Sequence, residues 1–479
     1  MSALLLDRIL PWAERTPKAP ALIGAAQTVT HRQLRALVSN AVTHLGKQGV
    51  RKGDVVGLGL AQTPLYPIVF LALGWIGALV VPVPPALRPQ DREELLQRYG
   101  ISALISERFE AVPAHCRLVQ LQGIGASGHE DMAAAGAPGY DADTPLRIGL
   151  TSGTTGMPKG VLQTHASFID RMDRMHCDLA DVPRVIPPAM HITLAMNLAM
   201  HALCKGGAIV FPASYGNREL LDAIGRYAVT HFALTPANLR LITQEFNVAA
   251  PAFPSLRQLR LVGSTPTRVV LDEARRKMTP NVYVPYGIGE IGLVSMATPQ
   301  MLLEHPTTVG ALEPGVRLEF VGEGELRMHI PGQADDYHGP DAGKRERFRD
   351  GWFHSGDRGR ISPEGLLFIE GRIDSLINLG GFKVAPEYVE SVLMEFAGVR
   401  EAAVLPFDDA SGVARLTAAI IPAGELDWGA LRDYARRRLE LMAPARFVEV
   451  QLLPRNALGK LERDQITEAS LAGAPVKAA

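Results

Sequence analysis

The feature that most constrains this chain is the spacing of its short apolar runs. VVGLGL (55–60), LVVPV (79–83), SALIS (102–106), CRLVQL (116–121), GAIVFP (207–212), HFALTP (231–236), LRLVG (259–263) and NVYVPY (281–286) recur across its first three hundred residues. Each is strand-sized and nearly continuous in its apolar character, as strands buried on both faces are. Between them lie stretches with helical periodicity, such as NRELLDAIGRYAV (217–229) and TRVVLDEARRKM (267–278). Strand–helix alternation of this kind predicts α/β layers, with helices covering largely buried sheets.

Beyond about residue 310 the texture changes. VRLEFVGEGELRMHI (316–330) predicts a hairpin turning at Gly-Glu-Gly, and GRISPEGLLFIEGR (359–372) a second one turning at Ser-Pro-Glu-Gly. PEYVESVLMEFAGV (386–399) predicts a helix, AAVLPF (402–407) and LTAAIIPA (416–423) strands, and DWGALRDYARRRLELMAP (427–444) a helix closed by its proline. The expectation is a large N-terminal α/β domain over 1–373 followed by a small α+β domain over 374–479. The chain has 479 residues, enough for two to four domains or subdomains at roughly 100–200 residues each.

Composition narrows the class. Hydrophobic residues make up 47% and charged residues 21%, with a net charge of -1. That suits a globular enzyme and offers no basic excess for nucleic acid. Cys116, Cys177 and Cys204 lack CxxC spacing, so a disulfide scaffold and a zinc site are not expected, and a reducing, cytoplasmic setting is. MSALLLDRILPWAERTP does not have the pattern of a signal peptide, and GAPVKAA carries no lipidation or peroxisomal address. Residues 55–87 carry no charge, but Pro64, Pro67, Gly74 and Gly77 break them. They predict strand, turn, buried helix and strand, not a membrane span.

The clearest chemical signal is IGLTSGTTGMPKGVLQTH (148–165). After an apolar strand come the hydroxyls of Thr151, Ser152, Thr154 and Thr155, the glycines Gly153 and Gly156, and then Lys159 with Gly160 behind it. Glycines such as Gly153 and Gly156 let backbone N–H groups turn inward to form an anion-binding nest, hydroxyls add donors, and lysine adds a point charge. This is polyphosphate chemistry, yet it is not a Walker loop, because Gly160 follows the lysine. A second run, YGIGEIG (286–292), spells G-x-G-x-x-G after a strand. A dinucleotide reading is opposed by Glu290, which would repel a pyrophosphate unless a cation lay between them.

The 148–165 run closely resembles the phosphate-binding loop of the adenylate-forming superfamily, which includes acyl- and aryl-CoA synthetases, peptide-synthetase adenylation domains and luciferases. The resemblance extends over most of the chain in the family's order. It implies that Tyr286 stacks on adenine, that Ser264 and Thr265 border it, that Gly287 belongs to the nucleotide site, and that Glu290 binds Mg²⁺. WFHSGDRGR (352–360) resembles the ribose-binding strand, so that Asp357 would accept both ribose hydroxyls. GRIDSLINLGGFKVAPEYVE (371–390) resembles the segment joining the domains: Arg372 would reach the nucleotide, Asp374 would be the hinge, and Gly380 and Gly381 would let a pantetheine arm pass. LPRNALGKLERDQ (453–465) resembles the lysine loop that brings Lys460 to the substrate carboxylate and α-phosphate. Taken singly, Asp357 could be a turn residue and Lys460 a solvated charge.

The activity implied is ATP- and Mg²⁺-dependent formation of an acyl-adenylate, then thioester formation with CoA or with the phosphopantetheine of a carrier protein. Catalysis would rest on Lys460, Thr151, Lys159 and His191, and the small domain would rotate between the two steps. Two departures stand out: Asn378 replaces a frequent lysine after the hinge, and Gly289 replaces a frequent threonine before the metal-binding glutamate. His191, Met196, Thr235, Val262, Gly263, Gly287 and Leu293, with Asn238 nearby, are expected to wall the acid pocket. PPAMHITLAMNLAMHAL (187–203) has no Asp to hold an α-ammonium, and its soft Met side chains favour an apolar acyl or aryl acid. His191 could instead be a satisfied core histidine. The other class of function is a non-catalytic binding relative, against which stand Lys460, Glu290 and Asp357. Arg436–Arg438 could meet an acceptor or be a solvated helix face.

Overall fold

The computed structural model describes residues 4–85, 87–107, 112–121, 140–151, 158–175, 182–244, 248, 250–322, 324–343, 347–373, 375–379, 382–409, 414–455, 461–466 and 476–477. Two sheets organise the first 370 residues. One is largely parallel, its strands lying in the order Arg117–Val119, Ala103–Ser106, Val55–Gly59, Leu79–Pro82, Pro145–Thr151 and Lys159–Thr164, with only the last pair antiparallel. The other has a parallel half formed by Pro20–Gly24, Ala208–Phe211, Arg184–Ile186, His231–Leu234, Gln258–Leu261 and Val282–Ile288. Antiparallel strands continue it through Gly292–Ala297, Gly310–Leu312, Leu366–Arg372, Trp352–Ile361, Glu325–His329 and Arg317–Val321.

The uncharged run 55–87 folds as its proline and glycine breaks predict. The helix Leu65–Ile76 is buried on nearly every face, and Gly77, at φ +80°, ends it in a left-handed turn that a side chain would strain. Among the described residues no helix is long and apolar enough to cross a membrane. Helix starts follow local chemistry. Thr30 accepts a hydrogen bond from Gln33 N at 3.3 Å while Gln33 Oε1 accepts one from Thr30 N at 2.9 Å, opening His31–Lys47. Thr164 does the same for His165–Asp173.

The last hundred residues form their own sheet, Val399–Asp408, Ala414–Pro422, Arg446–Glu449 and Val476–Lys477, with a hairpin Ile377–Leu379/Phe382–Val384 and helices Pro386–Met394 and Trp428–Leu439. Their core (Val389, Leu393, Val404, Ile420, Leu431, Phe447) is separate from the cores of the two larger sheets. The second helix stops before the expected proline. Ala443 is extended, as the residue before a proline must be, and the chain reaches it through Glu440 at φ +49° and a 3-10 turn. Arg436, Arg437 and Arg438 are exposed on that helix, and Arg438 bonds Tyr434 and Glu395 of its own domain.

Candidate active site

Neighbouring parallel strands deliver most of the expected residues at their carboxyl ends, where open α/β sheets place their clefts. Arg184–Ile186 leads to His191, His231–Leu234 to Thr235, Gln258–Leu261 to Val262–Thr265, and Val282–Ile288 to Glu290. Thr235 and Gly263 adjoin: Gly263 has φ +90°, and a β-carbon built on it would lie 3.6 Å from Thr235 Cγ2. Ser264, Thr265, Asn238 and Gly287 are exposed, whereas Val262 and Leu293 are half-buried. Gly287 pairs with Leu293 across a bulge that follows Tyr286.

YGIGEIG is not a strand-to-helix loop. The strand runs on to Ile288, turns at Gly289–Glu290 and returns as the strand Gly292–Ala297. A dinucleotide loop would open a helix there. Tyr286 donates its phenol proton to Asp357 Oδ2 at 2.5 Å. Burial, and then the Asp357 carboxylate, hold that phenol well above its ordinary pKa, so it remains a donor. Arg372, paired directly with Asp357 across two antiparallel strands, reaches Oδ1 at 3.4 Å. Tyrosine, aspartate and arginine therefore meet in one cluster at the mouth of the sheet.

Thr151 ends its strand, buried, and stands in register with Lys159 on the returning strand. The Lys159 ammonium lies 4.9 Å over the Tyr337 ring, and the Tyr337 hydroxyl donates to Glu290 Oε1 at 3.1 Å. The segment carrying Tyr337 is tied to the hairpin by His338 N donating to Gly160 O at 2.7 Å. Buried Arg171, on the helix after that hairpin, donates to Gly289 O at 3.0 Å and to Glu290 O. A β-carbon on Gly289 would lie 3.0 Å from Thr151 Cγ2, so glycine there lets the Gly289–Glu290 turn and the strand Pro145–Thr151 touch. Among the described residues no cluster of three His, Cys, Asp or Glu side chains could hold a metal alone. A Mg²⁺ ion suits Glu290 none the less: one carboxylate completed by nucleotide phosphates is its usual donor set.

His191 lines a recess of about 100 Å³ with Leu60, Gln62, Tyr66, Pro85 and Met190. Burial, and then the charge of Arg147, push its pKa down to about 4, so the ring is neutral at pH 7. Met196, expected as a pocket wall, is instead 1% exposed in the hydrophobic core, because the helix Thr193–Cys204 is buried almost all round. Met190 holds the place beside His191. Ser152, Gly153, Thr154, Thr155, Gly156, Asp374, Gly380, Gly381, Lys460 and Cys177 lie outside the described residues. Asn378 is on an exposed strand position opposite Lys383. Sequence reasoning missed Arg171, Tyr337 and Arg147. Arg171 had a signal: it falls on the apolar stripe of Phe168, Ile169 and Met172.

With this geometry in view, the chain belongs to a family of nucleotide-binding enzymes. Residues 10–334 match the AMP-binding enzyme family and residues 388–460 match the AMP-binding enzyme C-terminal domain. It is similar to the fatty acid–[acyl-carrier-protein] ligase ScoC of Streptomyces coeruleorubidus, 28% identical over 95% of this chain and 94% of that one. It is also similar to the 2-succinylbenzoate–CoA ligase of Bacillus subtilis strain 168, 27% identical over 95% and 96%. The fold matches the o-succinylbenzoate coenzyme A synthetase of Bacillus subtilis solved with ATP and a magnesium ion, with a TM-score of 0.84, 25% identity, and coverage of 97% of this chain and 99% of that one. These homologues are acid–thiol ligases that use CoA or an acyl carrier protein.

Proposed function

We propose that this chain is an acid–thiol ligase that activates a carboxylic acid with ATP as its acyl-adenylate and then transfers the acyl group to CoA. The observation that carries the reading is the Tyr286–Asp357–Arg372 cluster beside the Lys159–Tyr337–Glu290 cluster. The first supplies a ring for adenine and acceptors for a ribose diol, and the second supplies opposite charges suited to a polyphosphate and its cation.

In the first step a carboxylate oxygen of the acid attacks the α-phosphorus, a mixed anhydride forms, and pyrophosphate leaves. Two anions must approach, so positive charge is needed where negative charge builds up. Lys159 and the amides of 151–160 are assigned to the triphosphate, and Lys460 to the reacting oxygens. Glu290 would hold Mg²⁺, which when bound would neutralise charge on the phosphates. Asp357 and Tyr286 orient the nucleotide, a contribution of position. In the second step a thiol attacks the acyl carbonyl and AMP leaves. We place the domain boundary at 373/374 with Asp374 as hinge and Gly380–Gly381 along the thiol path, a reading supported by the separate cores on either side. Unpaired Cys116 and Cys204 support a reducing, cytoplasmic setting.

A carrier protein is the second acceptor to consider, because one of the similar proteins is a fatty acid–carrier ligase. Acid-dependent ATP–pyrophosphate exchange without any thiol tests the first step, and CoA or a loaded carrier added afterwards tests the second. Exchange that Lys460→Ala abolishes is expected. Undiminished exchange in that variant would overturn the lysine assignment, and no exchange with any acid would overturn the ligase reading.

A further inference from the structure

Tyr99 follows the helix Pro89–Arg98 and is 6% exposed, packed in one core with Leu95, Leu96 and Ile148. A phenylalanine would serve that core as well, because a buried hydroxyl costs free energy unless it finds a partner. The Tyr99 hydroxyl finds one outside the core: it donates to Pro158 O at 3.0 Å. Burial above all raises its pKa, so it is a donor at neutral pH. The edge of the same ring lies against Gly160. A β-carbon there would stand 2.7 Å from Tyr99 Cε1 and 2.8 Å from its oxygen, closer than β-carbons approach other atoms. Pro158 and Gly160 are the two chain neighbours of Lys159, so one side chain fixes the backbone on both sides of that lysine.

The ring also meets the segment that carries Tyr337. At Gly339, which has φ +78°, a β-carbon would lie 3.2 Å from Tyr99 Cδ1 and Cε1. His338, between Tyr337 and Gly339, forms a one-pair antiparallel bridge with Gly160, its N–H donating to Gly160 O at 2.7 Å. Beyond Gly339, buried Asp341 pairs with Arg98, the residue before Tyr99. Tyr99 is therefore a wedge between two glycines. One adjoins Lys159 and the other closely follows Tyr337, the ring under the Lys159 ammonium. Lysine carries its charge on a long flexible stem, so the ammonium is aimed only as well as the backbone beneath it is held. Releasing the Pro158 carbonyl lets the 158–160 backbone turn, and the Lys159 charge turns with it.

We infer that Tyr99 is a positioning residue for the triphosphate of ATP: without touching the nucleotide, it sets the backbone that aims Lys159 at the phosphates beyond the first. This deepens the ligase reading and rests on it and on its assignment of Lys159. AMP carries only the first phosphate and is held by the Tyr286–Asp357–Arg372 cluster, which Tyr99 does not brace. Loosening the wedge therefore weakens ATP and spares AMP.

The test is calorimetric titration of ATP with Mg²⁺ and, separately, of AMP into wild type, Y99F, K159A and the double variant. Y99F keeps the ring and the core it fills, and thermal melts follow its folding. It is expected to weaken ATP binding about fivefold, the scale of one neutral hydrogen bond, and AMP binding by less than about twofold. K159A should lose more ATP affinity, and Y99F added to it should cost nothing further, because the wedge acts through the lysine. A folded Y99F that binds ATP as the wild type does, or that weakens ATP and AMP equally, overturns the inference and leaves Tyr99 as core packing. So does full additivity with K159A, and so does a Y99F that cannot fold, since the hydroxyl would then serve the core. ATP binding untouched in K159A removes the lysine assignment and the inference but leaves the ligase reading. A wild type that binds no ATP removes all three.

Discussion

Arg171 is 5% exposed and holds two consecutive carbonyls, those of Gly289 and Glu290, from a helix more than a hundred residues earlier. Burial lowers its pKa to about 10, with the Glu290 charge opposing that shift, so it is a cation wherever the enzyme works. Removing it strands two carbonyl acceptors and loosens the turn that carries Glu290, the carboxylate proposed for Mg²⁺. Arg171→Met is expected to cost about 2–4 kcal/mol of stability and to raise the Mg²⁺ concentration needed for half-maximal exchange, which a magnesium titration measures. Tyr337 acts on the same carboxylate from its side chain. Its hydroxyl donates to Glu290 Oε1, and burial, with Glu290 next, raises its pKa so that it stays protonated. Tyr337→Phe removes one hydrogen bond to a charged group, worth about 1.5–3 kcal/mol. The expected outcome is a weaker ATP–Mg²⁺ KM with a smaller change in kcat.

The turn Gly289–Glu290 and the hairpin Pro145–Thr151/Lys159–Thr164 touch in the structure, and the proposed site draws on both. Thr151 Cγ2 fills the space that a side chain at 289 would need. Gly289→Thr is therefore expected to push the two elements apart and lower the exchange rate by about tenfold or more, a scale set by misplacement of reacting groups. Restored or raised activity would show that the turn moves freely. Element order and both hairpins were legible in the sequence, because strand runs and turn residues are local signals, whereas Tyr286, Glu290, Asp357 and Arg372 were singled out by the family resemblance, and the structure brings Tyr286, Asp357 and Arg372 together. Arg171, Tyr337 and Arg147 were not legible. Each acts through a contact distant in sequence, and YGIGEIG could be assigned to a strand turn only once its partner Gly292–Ala297 was seen. Met196 misled because a Met-rich run is the same in letters whether it faces a pocket or a core.

At the scale of the whole molecule, burial lowers the pKa of five histidines among the described residues, His31 among them. His165, His191 and His201 are lowered to about 4 and His231 to about 3, each mainly by burial, from an ordinary 6.5. Because the folded values lie below the unfolded one, the stability they permit is complete above about pH 6.5 and is lost as pH falls towards 4 and 3. Denaturant unfolding between pH 8 and 5 should show stability falling by about 1.4 kcal/mol per pH unit for each proton taken up. A flat profile would contradict these burials. The two sheets, with the small domain beyond them, converge on one claim, that the nucleotide's ribose sits on Asp357 at the carboxyl ends of the parallel strands. Calorimetric titration of ATP with Mg²⁺ into wild type and Asp357→Ala measures it directly. Loss of two hydrogen bonds to a charged acceptor predicts a Kd weaker by about a hundredfold, with folding retained. An unchanged Kd in a folded variant would place the nucleotide elsewhere and contradict the account.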